Sequence, residues 1–198
     1  MTQLRRLVLV RHGETEGESS IRFHGSGDVA LSAEGATQMQ AVSSTLGDEP
    51  LDLIVSSPMR RAWRSAWIAG KGAPVRLESN FREIHFGRWE GLTREEIQAA
   101  DPVIYEDWQN KSPGFEFPGG EPRAEFRERV EKGLDSLLAA PVHSALVVAH
   151  KGVIRTIVEL LIGERPQGLD LGDGIELTRK SDGTWFEGRN SSDPPSLR

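Results

Sequence analysis

Two uninterrupted apolar runs, residues 7–10 and 145–149, constrain the fold more than anything else in this 198-residue chain. A strand with no polar alternation has to be buried on both faces, which is the position of a central strand in a parallel sheet covered by helices on either side. The first run closes a strand over residues 4–10 that stops at a turn containing Gly13, and the second is an equally buried strand. Around them helix patterns alternate with shorter strands. Ser32 can cap a helix whose apolar positions Ala36, Met39, Val42 and Leu46 recur at helical spacing until Gly47. Residues 52–56 read as a strand, and Ser57-Pro58 then supplies an N-cap with proline at the first helical position of a helix reaching about Gly70. Residues 75–77 form a third strand. The alternation is then broken by an excursion over about residues 80–121, in which Thr93 and Glu96 make a capping box and Asp101-Pro102 opens another short helix. Phe126, Val130, Leu134, Leu137 and Leu138 line one face of a long helix ending before Pro141. An apolar helix over residues 152–162 is closed by Gly163, and residues 175–178 and 184–186 read as a hairpin across Ser181-Asp182-Gly183. The tail after about residue 190, rich in Ser and Pro, is expected to be loose.

Strands alternating with helices imply an α/β fold: one domain over residues 1–198 with a mainly parallel central sheet, helices on both faces, and the excursion over the active site. No internal repeat or linker divides it. Hydrophobic residues make up 37% of the chain and charged residues 27%, enough apolar side chain to bury a core. The formal charge of −6 gives no global positive field for nucleic acid or an anionic membrane, so any anion site has to be built locally. With no cysteine, thiolate nucleophiles, disulfides and cysteine-ligated metals are excluded. No apolar run approaches the roughly 18 residues of a membrane span, and four apolar residues followed at once by Arg11-His12 make no secretory signal. The expected location is the cytoplasm, without nucleic acid or membrane as partner.

In an open α/β sheet, ligands bind at the C-terminal ends of the strands. His12 follows the first strand within two residues and His150 follows the strand over residues 145–149 immediately. Taken singly, each is an ordinary turn histidine; if the two strands are neighbours, both imidazoles face one crevice. Arg11 adjoins His12, and Arg60-Arg61 opens the helix after the second strand at the same edge, where cations oppose the helix dipole and are not placed for stability. Arginine offers a permanent charge and a planar fork matched to phosphate oxygens.

Arg11-His12-Gly13-Glu14-Thr15 resembles the signature of the histidine phosphatase superfamily, in the branch that holds cofactor-dependent phosphoglycerate mutases, fructose-2,6-bisphosphatases and α-ribazole phosphatases. Four further segments follow in the family's order: Arg22-Phe23-His24-Gly25 with Asp28 and Leu31-Ser32; Ser57-Pro58-Met59-Arg60-Arg61-Ala62; Glu83-Ile84-His85-Phe86-Gly87-Arg88-Trp89-Glu90-Gly91; and Val147-Val148-Ala149-His150-Lys151-Gly152-Val153-Ile154-Arg155. The resemblance covers about residues 4–163 and implies a phosphoglycerate mutase-like three-layer sandwich. It makes His12 the nucleophile that forms a phosphohistidine, Arg11, Arg61 and His150 the groups around the transferring phosphoryl, and Glu83 the proton donor. No metal or cofactor is called for. His24 and Gly25 are candidates for contact with substrate, Gly25 and Gly13 through close backbone approach to phosphate. Glu90 is a weaker rival for the acid, read otherwise as a loop carboxylate. His85 and His143 read as structural, Trp63 and Trp67 as core, and Trp89 and Trp108 as lining the mouth or packing.

Two departures stand out. The family usually has Trp-Asn after the first motif, the Asn contacting phosphate, where this chain has Gly17-Glu18; a carboxylate there repels phosphate unless it turns away or the substrate brings a positive or hydroxyl-rich group. Lys151 replaces the usual Gly after the second histidine, a cation placed either for a second anionic group or for solvent. The mutases of the branch are longer and carry a paired-Arg segment that helps exclude water, whereas residues 93–121 have none, and Phe117-Pro118-Gly119-Gly120-Glu121 resembles the phosphatases of the α-ribazole and broad-specificity type. The expectation is metal-independent hydrolysis of a small phosphorylated metabolite, with mutase chemistry, a degenerate phospho-ligand-binding module and a histidine-based metal hydrolase as alternatives. An exposed strand or the tryptophan-bearing surfaces leave a homodimer open, and no residue pattern specifies one.

Overall fold

The computed structural model describes residues 3–48 and 51–188, so the tail expected after residue 190 lies outside the described residues. The elements run β1 (Arg6–Arg11), α1 (Ala33–Leu46), β2 (Leu53–Ser56), α2 (Arg60–Ala69), β3 (Arg76–Leu77), α3 (Arg94–Ala100), α4 (Pro102–Gln109), α5 (Arg123–Leu138), β4 (Ser144–Ala149), α6 (Lys151–Ile162), β5 (Gly174–Arg179) and β6 (Trp185–Glu187). One six-stranded sheet has the order β3-β2-β4-β1-β5-β6. The first four of those strands are parallel and the hairpin β5–β6 adds antiparallel pairs at one side. The sheet is therefore mixed but mainly parallel, in a single α/β domain.

The two apolar runs are adjacent: β1 pairs with β4 along its length, Val10 opposite Val148 and Arg11 opposite Ala149. Side chains alternate across a strand, so the two runs feed two cores. Leu7, Leu9, Val55, Ala145, Val147 and Ala149 pack with α5 and α6 on one face. Val8, Val10, Ile54, Leu146 and Val148 pack with Met39, Val42, Ala66 and Ala69 of α1 and α2 on the other. The excursion builds a third, aromatic core of its own around the fully buried Trp89, with Ile97, Tyr105 and Phe115. Trp89 donates its indole N–H to Asp101 at 2.9 Å. It packs rather than lining the mouth.

Local signals behave unevenly. Ser32 accepts from Gly35 N–H as the cap of α1, and Thr93 and Glu96 form the reciprocal capping box of α3. The helix expected to begin at Ser57-Pro58 begins two residues later, at Arg60, with Met59 at the N-cap and no side-chain cap. Ser57 is held elsewhere, as described below. Trp63 and Trp67, read as core, are 42% and 40% exposed; α2 turns its small residues Ala62, Ser65, Ala66 and Ala69 inward because the sheet face it covers is already filled by Ile54, Leu146 and Val148. Arg64 lies over the Trp67 ring at 4.4 Å.

Candidate active site

The neighbouring positions of β1 and β4 bring the two histidines together at the C-terminal edge. The His12 backbone N–H donates to the Ala149 carbonyl at 3.0 Å, and the rings of His12 and His150 meet edge to face at a centroid separation of 5.1 Å. Both are buried. His12 Nδ1 lies 2.8 Å from the Gly13 carbonyl, which can only accept, so Nδ1 carries the proton and Nε2 carries the lone pair. That lone pair accepts from Arg61 Nε–H at 3.3 Å. Burial first, then the guanidinium charges of Arg61 and Arg11, hold the His12 imidazolium well below its ordinary pKa, so the ring is neutral at physiological pH.

Arg61, fully buried in the first turn of α2, is the hub of the site. One terminal nitrogen donates to the Gly27 carbonyl at 2.6 Å, and the other to the carbonyls of His24 and Gly25 at 2.7 and 2.8 Å. It thereby fixes the 24–27 loop over His12. Burial lowers its pKa to about 10, which leaves it charged at neutral pH. Arg60 points to solvent and gives only its backbone N–H, to Asp28 at 2.8 Å. Arg11 donates to the Leu169 carbonyl at 3.1 Å, and its Nε is buried with no acceptor.

His150 is oriented by Ser57, whose Oγ lies 2.9 Å from Nε2. The same Oγ accepts from Met59 N–H at 3.3 Å, so Ser57 ties the ring to the start of α2 through Nε2 and not through Nδ1. That Nδ1 has no partner. A buried polar nitrogen without a partner costs about 1–3 kcal/mol and marks a place where function outweighs stability. Burial, followed by Arg61 and His12, keeps His150 neutral as well.

Glu83 enters from the excursion. Its two oxygens accept from the backbone N–H groups of Ile84 at 3.1 Å and Gly152 at 3.0 Å, the latter in the first turn of α6 beside His150. Burial raises its pKa despite those two donors and the charges of Arg61 and Arg11. The sequence rival, Glu90, is a strut: it accepts from the backbone N–H of Ser26 at 2.8 Å, of Phe86 at 2.9 Å and of Gly27 at 3.3 Å, pinning the 24–27 loop to the excursion.

The five residues His12, Arg11, Arg61, Glu83 and His150 are thus brought to one crevice. The two glycines serve packing. A Cβ on Gly25 would stand 2.1 Å from the Ile84 carbonyl oxygen, and one on Gly13 would stand 2.5 Å from that of Gly35, while the Gly13 N–H is taken by Ser65 at 3.2 Å. His24 is half-buried, with Nε2 against the Gly17 carbonyl, in space that a side chain at position 17 would need. Glu18 turns outward: its side chain is 64% exposed and 3.6 Å from Arg22 Nε, with a backbone φ of 60°. Sequence reasoning passed over Ser57 and the Gly152 N–H. Ser57 sits inside a quoted motif, and only its reading as a helix cap concealed it. A cavity of about 320 Å³ between α1 and α2, lined by Gln40, Arg64 and Trp67, contains none of these groups.

Residues 7–180 match the model of the histidine phosphatase superfamily, branch 1. The chain belongs to that superfamily. It is 34% identical over 171 residues to the glucosyl-3-phosphoglycerate phosphatase of Mycolicibacterium vanbaalenii, covering 81% of this chain and 76% of that one. It is 32% identical over 161 residues to phosphoserine phosphatase 1 of Hydrogenobacter thermophilus, covering 80% and 76%. Among solved structures, the α-ribazole phosphatase of Shigella flexneri superposes with a TM-score of 0.79 at 26% identity, over 92% of this chain and 94% of that one. The enzyme class of the chain is accordingly a phosphatase.

Proposed function

We propose that the chain hydrolyses small phosphomonoesters, without a metal, through a phosphohistidine at His12 Nε2. The observation that carries this reading is the His12 hydrogen-bond pair, Nδ1–H to the Gly13 carbonyl and the Nε2 lone pair toward Arg61. A neutral imidazole with a fixed tautomer is a nucleophile ready at pH 7. When Nε2 bonds phosphorus, the Arg61 Nε–H that it had accepted is released to a phosphoryl oxygen. Arg11 and His150, each with a buried nitrogen lacking a partner, supply further donors where charge spreads over the equatorial oxygens.

The leaving alkoxide needs a proton. Glu83, whose burial favours the protonated form, gives it, and the resulting carboxylate then takes a proton from the water that attacks the phosphohistidine. The backbone N–H groups of Ile84 and Gly152 hold its two oxygens in place for both steps. Glu18, the feature that spoke for a degenerate binding module, does not oppose the phosphate because it is turned to solvent and paired with Arg22. The excursion supports hydrolysis over mutase transfer: its interior is an aromatic core, and the arginine at the start of α3, Arg94, is exposed over Trp108 rather than paired with a second arginine. The relatives named for glucosyl-3-phosphoglycerate and phosphoserine agree with a small phosphorylated metabolite as substrate.

The test is phosphate release from p-nitrophenyl phosphate in EDTA by the wild type and by His12→Ala, with rapid quenching to trap labelled enzyme from a 32P-phosphate ester. Chelator-resistant turnover and an acid-labile, base-stable label, both absent from the variant, are expected. Turnover that survives His12→Ala, or that EDTA abolishes, refutes the reading.

A further inference from the structure

Lys151 is the first residue of α6 and follows His150 directly. Every local rule of helix stability disfavours a cation there. The first turn carries the positive end of the helix dipole. Arg155 lies one turn on, at the i+4 spacing where like charges repel. Arg11 is the charge that acts on Lys151 most strongly, followed by Arg155, with Arg94 of the excursion also contributing; Asp170 is the one carboxylate opposing them, and burial and these cations together lower the lysine's pKa. Lys151 is half-buried, yet its ammonium makes no hydrogen bond or ion pair with any described residue. Arg155 reaches the Gly168 carbonyl at 3.1 Å through one terminal nitrogen, but its Nε, like that of Arg11, is buried without an acceptor. Glu83, the proposed acid, is the carboxylate whose charge bears on Arg155, which ties this cluster to the reacting centre.

Three cations, two of them with buried unpartnered nitrogens, thus converge beside the phosphoryl pocket of a chain whose net charge is −6. Arg11 belongs to the pocket already described, and Lys151 and Arg155 extend the positive field outward along one face of α6. We propose that Lys151, supported by Arg155, forms a second anion subsite, so that the preferred substrate is a phosphomonoester bearing another anionic group, a carboxylate or a further phosphate. This rests on the phosphoryl-pocket reading above and narrows its substrate class. A lysine ammonium is a mobile point donor rather than a fork, so it suits an anion whose distance from the phosphate varies among substrates.

Phosphonates test it without turnover, because a C–P bond is not cleaved by transfer to His12. Calorimetric titration would compare 3-phosphonopropionate, 1,3-propanediphosphonate and the singly anionic propylphosphonate on the wild type, Lys151→Met and Lys151→Arg. One charge-assisted hydrogen bond corresponds to roughly a tenfold gain. The wild type is therefore expected to bind at least one of the two doubly anionic probes about tenfold more tightly than propylphosphonate. Lys151→Met should bring that ratio to within about twofold, and Lys151→Arg should keep most of it. Whether the carboxylate or the diphosphonate gains more identifies which second group the subsite takes. Equal binding of all three probes by the wild type, a preference that survives Lys151→Met, or an equal loss in Lys151→Arg overturns the subsite. Propylphosphonate binding without preference removes only the second subsite, whereas failure to bind any probe removes the phosphoryl pocket with it. A wild type that binds with preference but releases no phosphate from any ester leaves the subsite standing and refutes the catalytic reading.

Discussion

Replacing Glu83 by Gln tests the acid directly, because the substitution keeps the shape and removes the titration. The two carboxylate oxygens accept from Ile84 and Gly152 N–H at 3.1 and 3.0 Å. An amide offers one oxygen, so one of those backbone donors is left facing an NH2 group. Leaving a buried donor unsatisfied costs about 1–3 kcal/mol. For a chain of this size each kcal/mol moves Tm by about 2–4 °C, so a fall of several degrees is expected and the variant stays folded at assay temperature. Loss of a positioned general acid costs about 10²–10⁴ in rate. That loss depends on the leaving group: an alkoxide needs the proton, whereas p-nitrophenolate departs with little help. Steady-state kinetics should therefore show kcat/KM for an alkyl phosphate falling by at least about a hundredfold more than that for p-nitrophenyl phosphate. The pH profile carries the same signature. Burial raises the Glu83 pKa, and the acid form is the active one, so kcat/KM for the alkyl ester falls as pH rises through that raised value, and Glu83→Gln has no such basic limb. An equal loss on both esters, or an unchanged basic limb, would refute the assignment and return the proton transfer to another group.

Two further outcomes follow from buried groups. His12 and His150 are held well below their ordinary pKa, so the folded chain binds fewer protons than the unfolded one at mildly acid pH; their contribution is complete above about pH 6.5 and is lost as pH falls from there toward the depressed folded values, at up to about 1.4 kcal/mol per pH unit for each histidine. Thermal melts in phosphate-free buffer at pH 7.5, 6.5 and 5.5 should show Tm falling across the last step, above the range where ordinary carboxylates titrate, and a flat Tm there contradicts the neutral-pair picture. Ser57→Ala removes the Nε2 partner of a His150 that already lacks one at Nδ1, and is expected to lower kcat about tenfold with Tm down by a few degrees, a loss that Ser57→Thr restores in part; unchanged kcat in Ser57→Ala would remove Ser57 from the positioning of His150.

What could be read from the sequence and what could not divide along physical lines. The buried strands were legible because double-sided burial leaves an unbroken apolar run; their adjacency was not, because being central does not choose a strand's neighbours, and it is the β1–β4 pairing that brings His12 and His150 together. Caps such as Ser32 and Thr93 were legible because the interaction closes within three residues. Trp63 and Trp67 were misread because their spacing fixes a helix face but not which face meets the sheet; that is decided by Ile54, Leu146 and Val148, which are distant in sequence. Ser57 was misread for the related reason that one hydroxyl serves either a helix terminus or a histidine 93 positions away, and local pattern favours the nearer partner.

The same distinction explains the glycines and the carboxylates. Gly25 looked like a place for phosphate to approach the backbone, yet the approach it permits is that of the Ile84 carbonyl, with the excursion closing against the 24–27 loop. Glu90 and Glu83 stand seven positions apart in one loop-rich segment, and nothing in their residue type separates acid from strut. Their environments do. Glu90 is half-buried and spends its oxygens on two backbone N–H groups of the loop it pins and on that of Phe86 in the excursion, whereas Glu83 is buried with one donor from each of two segments and lies within the field of Arg11 and Arg61. The chemistry of this site resides less in which residues the motifs contain than in what burial does to their protons: the same exclusion of water keeps the His12 ring neutral, with its lone pair on Nε2, and raises the Glu83 pKa.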